Sequence, residues 1–326
     1  MNRSRLCVTV GLATVIAGLV ASETSAVPLT EVTKIGGFNS AGFGGTYGFI
    51  YGAPVAGVPG RGLFGAEFNG LSLVDSITIT QYTDAGRNRP KNVRVYTDQT
   101  HYVTVTFVNT QAVQTVDFKP FNGGQPILTS AYVLLAVQDE YGAGDPNFGV
   151  MSYSFSGTYI GPADVVNLNA SGTASMTNPL GGYGYPAKTV DGNIVSRSTG
   201  DSPYWTRDAI GPDSLTVTYS SPQDVASIGL GWAADTPSRD MPKFVTITDS
   251  HSQSAVITNE PLLSQYGRYK LAQPFTQTTS LTITMPPAAG TSADATNWYI
   301  NGDANYGITE FQAFPPPPKG TLMTLR

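Results

Sequence analysis

An all-β fold of two tandem β-sandwiches is what this sequence predicts, and three observations predict it. Apolar residues alternate with polar ones at a period of two in many short segments. Gly, Pro, Asn and Asp clusters separate those segments. One pair of strand-like segments recurs in the same order about 150 residues further on.

The alternation is plainest in Ser76-Ile77-Thr78-Ile79-Thr80, Val93-Arg94-Val95-Tyr96, Tyr102-Val103-Thr104-Val105-Thr106-Phe107, Leu215-Thr216-Val217-Thr218-Tyr219 and Leu281-Thr282-Ile283-Thr284-Met285. Successive side chains of a strand point to opposite faces, so each segment reads as a half-buried strand. No uninterrupted dozen residues carries a 3.6-residue apolar period. With 36 Gly and 23 Pro in 326 residues, the chain has the turn residues that many short strands require.

The repeat rests on two matches. Arg87-Asn88-Arg89-Pro90-Lys91-Asn92-Val93-Arg94-Val95-Tyr96-Thr97-Asp98 has a counterpart in Arg239-Asp240-Met241-Pro242-Lys243-Phe244-Val245-Thr246-Ile247-Thr248-Asp249. Asn147-Phe148-Gly149-Val150 is matched by Asn305-Tyr306-Gly307-Ile308. Together they predict a first sandwich over residues 27–160 and a second over 161–314, joined where Gly and Pro punctuate the chain. Pro315-Pro316-Pro317-Pro318 cannot enter a sheet, so residues 315–326 are expected to form a proline-rich tail.

The N-terminus predicts export. Arg3 and Arg5 precede an apolar run from Leu6 to about Ala21, and Thr24-Ser25-Ala26 offers a small-residue cleavage site, so residues 1–26 read as a signal peptide. The run is too short for a spanning helix, and no later segment comes closer, so no transmembrane segment is expected after its removal. The single cysteine, Cys7, falls inside the run, which leaves a mature chain without thiols and hence without disulfides or thiolate metal sites. A net charge of −5 with 13% charged residues excludes the basic footprint of a nucleic-acid binder and of an electrostatic membrane binder.

In the second half, Thr189-Val190-Asp191-Gly192-Asn193 is followed by Tyr204-Trp205, the strand from Ser214, Val225 to Leu230, the Arg239-to-Asp249 element and finally Ile308-Thr309-Glu310-Phe311. That ordered set resembles the discoidin family, or coagulation factor 5/8 type C domains, within the galactose-binding-like superfamily. The resemblance covers most of residues 166–314. The first half keeps Arg89-Pro90-Lys91, Val93-Arg94-Val95 and the closing strand, but lacks the Asp-Gly-Asn turn and has Ser152 where Glu310 stands. It implies jelly-roll sandwiches that bind glycans, lipids or protein surfaces through loops at one end, the first copy being degenerate.

The resemblance also sets the Asp191 turn beside Glu310, so Asp191, Asn193 and Glu310 are the expected ligands of a structural calcium ion in the second sandwich only. Read without it, Asp-Gly-Asn is a turn. Trp205, Trp232 and Trp298 all fall in the second half. Large amphipathic rings on loops grip sugar faces, and Trp298, in the polar stretch Asn297 to Asp303, suits that use best, with Tyr299 beside it. Trp232 follows an apolar strand and Trp205 takes the place that the resemblance makes core-forming, so both read first as core, with Trp232 kept among the candidate ligand residues. Arg239 could hold a ligand hydroxyl or carboxylate, or simply pair with Asp235.

No Gly-x-Ser-x-Gly elbow, His-Glu-x-x-His or phosphate-binding loop occurs, and His101 and His251 hold matched places after the repeated strand, as hairpin residues would. The expected function is therefore a secreted, non-catalytic binding protein whose partner is an extracellular glycan. A structural or adhesive role toward a cell-surface protein is the alternative, and a glycoside-active enzyme, which would need two converging carboxylates in a cleft, is the third reading.

Overall fold

The computed structural model describes residues 27–29, 31–35, 38–39, 49–52, 63–68, 70–81, 88–97, 101–129, 132–142, 147–160, 166–177, 185–192, 205–207, 213–232, 241–259, 266–286, 297–299 and 306–316. Every strand pairing among them is antiparallel, and the only helical elements are three 3-10 turns, so the fold is all-β. The expected signal peptide lies outside the described residues. Among them no helix is long and apolar enough to cross a membrane.

The described residues up to Ile160 form a two-stranded ribbon and two large sheets that face one another. One is built around Ser72–Gln81 and Asn147–Tyr159, with Val113–Asp117, Ile127–Thr129, Phe49–Gly52, Phe38–Asn39 and Val27–Pro28 at its flanks. The other runs Glu31–Ile35, Leu63–Phe68, Tyr132–Val137, Asn92–Tyr96, Tyr102–Thr106. Ser72–Gln81 alternates buried and half-buried residues, as its sequence period requires, and its inward Val74, Ile77 and Ile79 meet Phe64, Val93, Val95 and Val133 from the facing sheet.

Among the described residues from Val166 on, one seven-stranded sheet folds over itself beside a two-stranded ribbon. Ser214–Trp232 and Tyr266–Thr284 are each 19 residues long and pair with one another twice, Ser214 to Thr218 against Ser280 to Thr284 and Ser227 to Gly231 against Tyr266 to Lys270. The register shifts between Thr218 and Ser227. Bulges of this kind bend a strand, and here they carry both strands from one layer into the other. Leu215 and Val217 from one half thereby face Ile228 and Leu230 from the other across one core.

The repeated Pro-Lys elements occupy matching places. Arg89–Pro90 pairs with Glu140–Tyr141, and Met241–Pro242 pairs with Trp298–Tyr299. The Lys91 amide donates to Asp139 O at 3.0 Å, and the Lys243 amide donates to Asn297 O at 2.8 Å. Each element leads into a hairpin, Asn92–Tyr96 with Tyr102–Thr106 and Phe244–Asp249 with Ser254–Thr258.

Tyr132–Val137 departs from alternation, because all six of its residues are buried. One face belongs to the first core. The other, with Ile35, Tyr96, Leu134 and Ala136, packs against Tyr266 of the second half. A strand covered on both faces reads as a continuous apolar run, which is what Tyr-Val-Leu-Leu-Ala-Val is.

A polar cluster sits within this contact. The Tyr266 hydroxyl lies 3.0 Å from Glu67 Oε1 and 2.7 Å from Gln312 Oε1, and Gln312 Nε2 donates to Glu67 Oε2 at 3.2 Å. Tyr132 meets the Tyr266 ring edge-on at 5.5 Å, and the Arg268 guanidinium stacks 3.4 Å over the Phe314 ring. Burial pushes the Glu67 carboxyl above the usual carboxylate range, against the opposing pull of Arg268 and of the bonds from Gln312 and Tyr266.

A raised carboxyl binds its proton more readily in the folded than in the unfolded chain. The associated stability is therefore complete below the ordinary carboxylate range and is lost as pH rises through the folded value. Denaturant titrations across pH 4 to 8 are expected to show unfolding free energy falling with pH, with a shallower fall for Glu67→Gln. An identical slope for both proteins would remove Glu67 as the source.

Candidate functional site

Two turns close one end of the second sandwich beneath its last strand. The first, Leu168–Ser171, is anchored by the Asn169 side chain, which donates to Phe311 O at 2.8 Å and accepts from the Tyr219 hydroxyl. Burial pushes that phenol well above the usual tyrosine range, so it stays a donor at any ordinary pH. Asn167 Oδ1 accepts from the amides of Asn169 and Ala313 at 3.1 and 3.2 Å. The second turn follows the Pro186–Thr189 3-10 element, where Thr189 Oγ1 bonds back to Pro186 O at 2.6 Å and Val190 drops into the core.

Gly192 then adopts a φ of 81°, in the left-handed region where a side chain is strained. That conformation aims its amide at Glu310, and both carboxylate oxygens lie 3.1 Å from it. Asn167 Nδ2 adds a third contact, to Oε1 at 3.3 Å. Asp191 and Glu310, which the resemblance places side by side, are thus brought together from distant parts of the chain.

Glu310 has no exposed surface, whereas Asp191 remains partly open and pairs with Lys188 at 3.5 Å. Burial first, and the negative charge of Asp191 second, push the Glu310 carboxyl well above the usual carboxylate range; the Gly192 amide and Asn167 oppose the shift. Two acids converging with one of them desolvated is an arrangement that a cation would relieve, and the oxygen-rich donor set suits a hard ion. No group of three or more His, Cys, Asp or Glu gathers among the described residues, so carboxylates alone do not make a cage. Asn193, the other expected ligand, lies outside the described residues.

The expected sugar-gripping use of Trp298 is corrected, and Trp232, a candidate ligand residue read first as core, is core. Trp298 is 5% exposed and Trp232 3%, and both belong to the core of the second sandwich. Trp298 sits in a two-residue strand against Met241–Pro242, which turns its ring inward although its sequence neighbours are polar. Neither ring offers a face for stacking. The Tyr299 side chain and all of Arg239 lie outside the described residues.

Asp249 is the buried brace of the second hairpin. Its Oδ1 accepts from the His251 and Gln253 amides at 2.9 and 2.8 Å, and its Oδ2 lies 3.3 Å from His251 Nδ1. His251 itself is half exposed at the turn. In the first hairpin the His101 carbonyl accepts from the Thr97 amide at 3.2 Å. Both histidines therefore occupy hairpin turns.

No protein-family model matches the chain, and no curated protein matches it. Solved structures are similar at low identity. A fucolectin from Morone saxatilis (striped bass) serum is 14% identical with a TM-score of 0.34, over 78% of this chain and 83% of that one. The lectin domain of lectinolysin, complexed with Lewis B antigen, is 14% identical with a TM-score of 0.34, over 46% of this chain and 97% of that one. A family 32 carbohydrate-binding module of C. perfringens NanJ, in complex with galactose, is 18% identical with a TM-score of 0.33, over 46% and 98%.

Proposed function

We propose that this chain is a secreted, non-catalytic glycan-binding protein made of two galactose-binding-like jelly rolls derived from one duplicated unit. Calcium stabilises the second jelly roll. The observation that carries the reading is the junction of the Asp191-Gly192 turn with Glu310 of the last strand. β-propensity and alternation do not bring a turn acid and a buried strand acid together, whereas the discoidin resemblance in the sequence places them side by side.

Asp191, Asn193 and Glu310 would hold the ion. When bound, it would supply positive charge at the buried carboxylate and tie the first turn of the sandwich to its last strand. Lys188 fills part of that role by pairing with Asp191. In an exported chain without disulfides, an ion that binds only the folded state adds to stability directly, by about 2.7 kcal/mol at a hundredfold excess over Kd. The matched hydrogen bonds of the two Pro-Lys elements support the duplication.

The test combines thermal unfolding with a glycan array. Calcium is expected to raise the midpoint of the mature protein by several degrees, chelator to reverse this, and Asp191→Asn to abolish it. The loaded protein is expected to bind glycans on the array. A midpoint indifferent to calcium would remove the ion, and an array without hits would remove the glycan.

A further inference from the structure

The first sandwich carries a groove at one end, between its hairpin of Asn92–Tyr96 with Tyr102–Thr106 and the loop leading into Ile127–Thr129. Its volume is about 660 Å³, within the range of small-ligand sites. Val95, Val103 and Ile127 line its apolar part, with Leu128, 39% exposed, beside them. Thr97, Asn122 and Gln125 bring hydroxyl and amide groups to it.

The loop is braced from within. Asn122 Nδ2 donates to Gln125 O at 3.1 Å and to Pro126 O at 2.9 Å, and the Asn122 and Gly124 amides both return to Lys119 O. Gly123 and Gly124 stand at φ 61° and 84°, and a Cβ on either would meet nothing within 4 Å, so the space above them is open. With both amide protons spent inside the loop, the Asn122 side-chain oxygen is its remaining hydrogen-bonding atom. A rim held in place in this way loses little freedom when a ligand settles on it.

The chemistry of the lining selects the ligand. Among the described residues no Asp, Glu, Lys or Arg lines the groove, and His101 and Tyr102 complete its lining, so an ionised ligand would find little there to offset its desolvation. Amide and hydroxyl groups around an apolar floor match a molecule with hydroxyls at its edge and C–H groups on its face. That molecule is a neutral sugar, and the volume admits a short oligosaccharide. We infer that this groove, in the sandwich that lacks the acidic turn, is a site for a short neutral saccharide.

The inference rests on the glycan-binding reading and gives it a location away from the Asp191 turn. The test titrates 15N-labelled mature protein with galactose, fucose, N-acetylglucosamine and lactose, alongside Gln125→Ala and Leu128→Ser. Both residues are exposed, so neither change threatens the fold. Shifts of Thr97, Gln125 and Leu128 with one of these sugars are expected, with affinity at least about tenfold weaker in the double variant, as the loss of one hydrogen bond and one apolar contact implies. Shifts confined to other residues, or equal affinity in the variant, would overturn the groove and leave glycan binding standing. An absence of shifts together with an empty glycan array would overturn both.

Discussion

Tyr266→Ala is expected to lower the unfolding free energy by about 4 kcal/mol, in the range of large aromatic truncations in cores. The ring has no exposed surface and fills the space between the two halves against Ile35, Tyr96, Tyr132, Leu134 and Ala136. Its removal opens a cavity that two rigid sandwiches cannot close, and it strips Glu67 and Gln312 of a hydroxyl partner. Calorimetry is expected to show a single transition in the wild type and two in the variant, as each half unfolds by itself. Tyr266→Phe keeps the ring and is expected to cost about 1 to 3 kcal/mol through the unpartnered polar groups alone. If the alanine variant unfolds like the wild type, the contact between the halves contributes nothing to stability.

Gly65→Ala is expected to cost about 3 kcal/mol, at the upper end of ordinary overpacking. A Cβ at Gly65 would stand 2.0 Å from the Val133 carbonyl oxygen and 3.0 Å from Leu134 Cα, both main-chain atoms of the paired strand. No side-chain rotation relieves a collision with backbone, so the Leu63–Phe68 and Tyr132–Val137 strands must move apart. Tyr153 reaches in to donate its hydroxyl to the Gly65 carbonyl at 2.7 Å, which opposes that movement. Far-ultraviolet circular dichroism with urea unfolding would check it, and an unchanged midpoint would show that the sheet yields at little cost.

Strand content was legible because alternation acts locally. Ser72–Gln81 and Phe244–Asp249 bury the residues that their patterns mark as inward. The meeting of Asp191 with Glu310 was also legible, though through resemblance and not through any local rule. Trp298 was misread because polar neighbours suggested a loop, while pairing with Met241–Pro242 folds its ring into the core. The bends within the two 19-residue strands were not legible either, since alternation runs on through Ser214–Trp232 on both sides of the bulges.

By itself the sequence determined the all-β class, the matched Pro-Lys elements and the acidic pair of the second half, because these depend on side-chain period, turn chemistry and an ordered motif. Only the tertiary structure decided that the two halves share a buried contact around Tyr266 and Glu67, that Trp298 serves the core, and that a groove opens in the first sandwich. The physical reason is that each of these depends on surfaces from residues far apart in the chain. Which faces meet, and which remain open to solvent, is a property of the packed layers and not of any one segment.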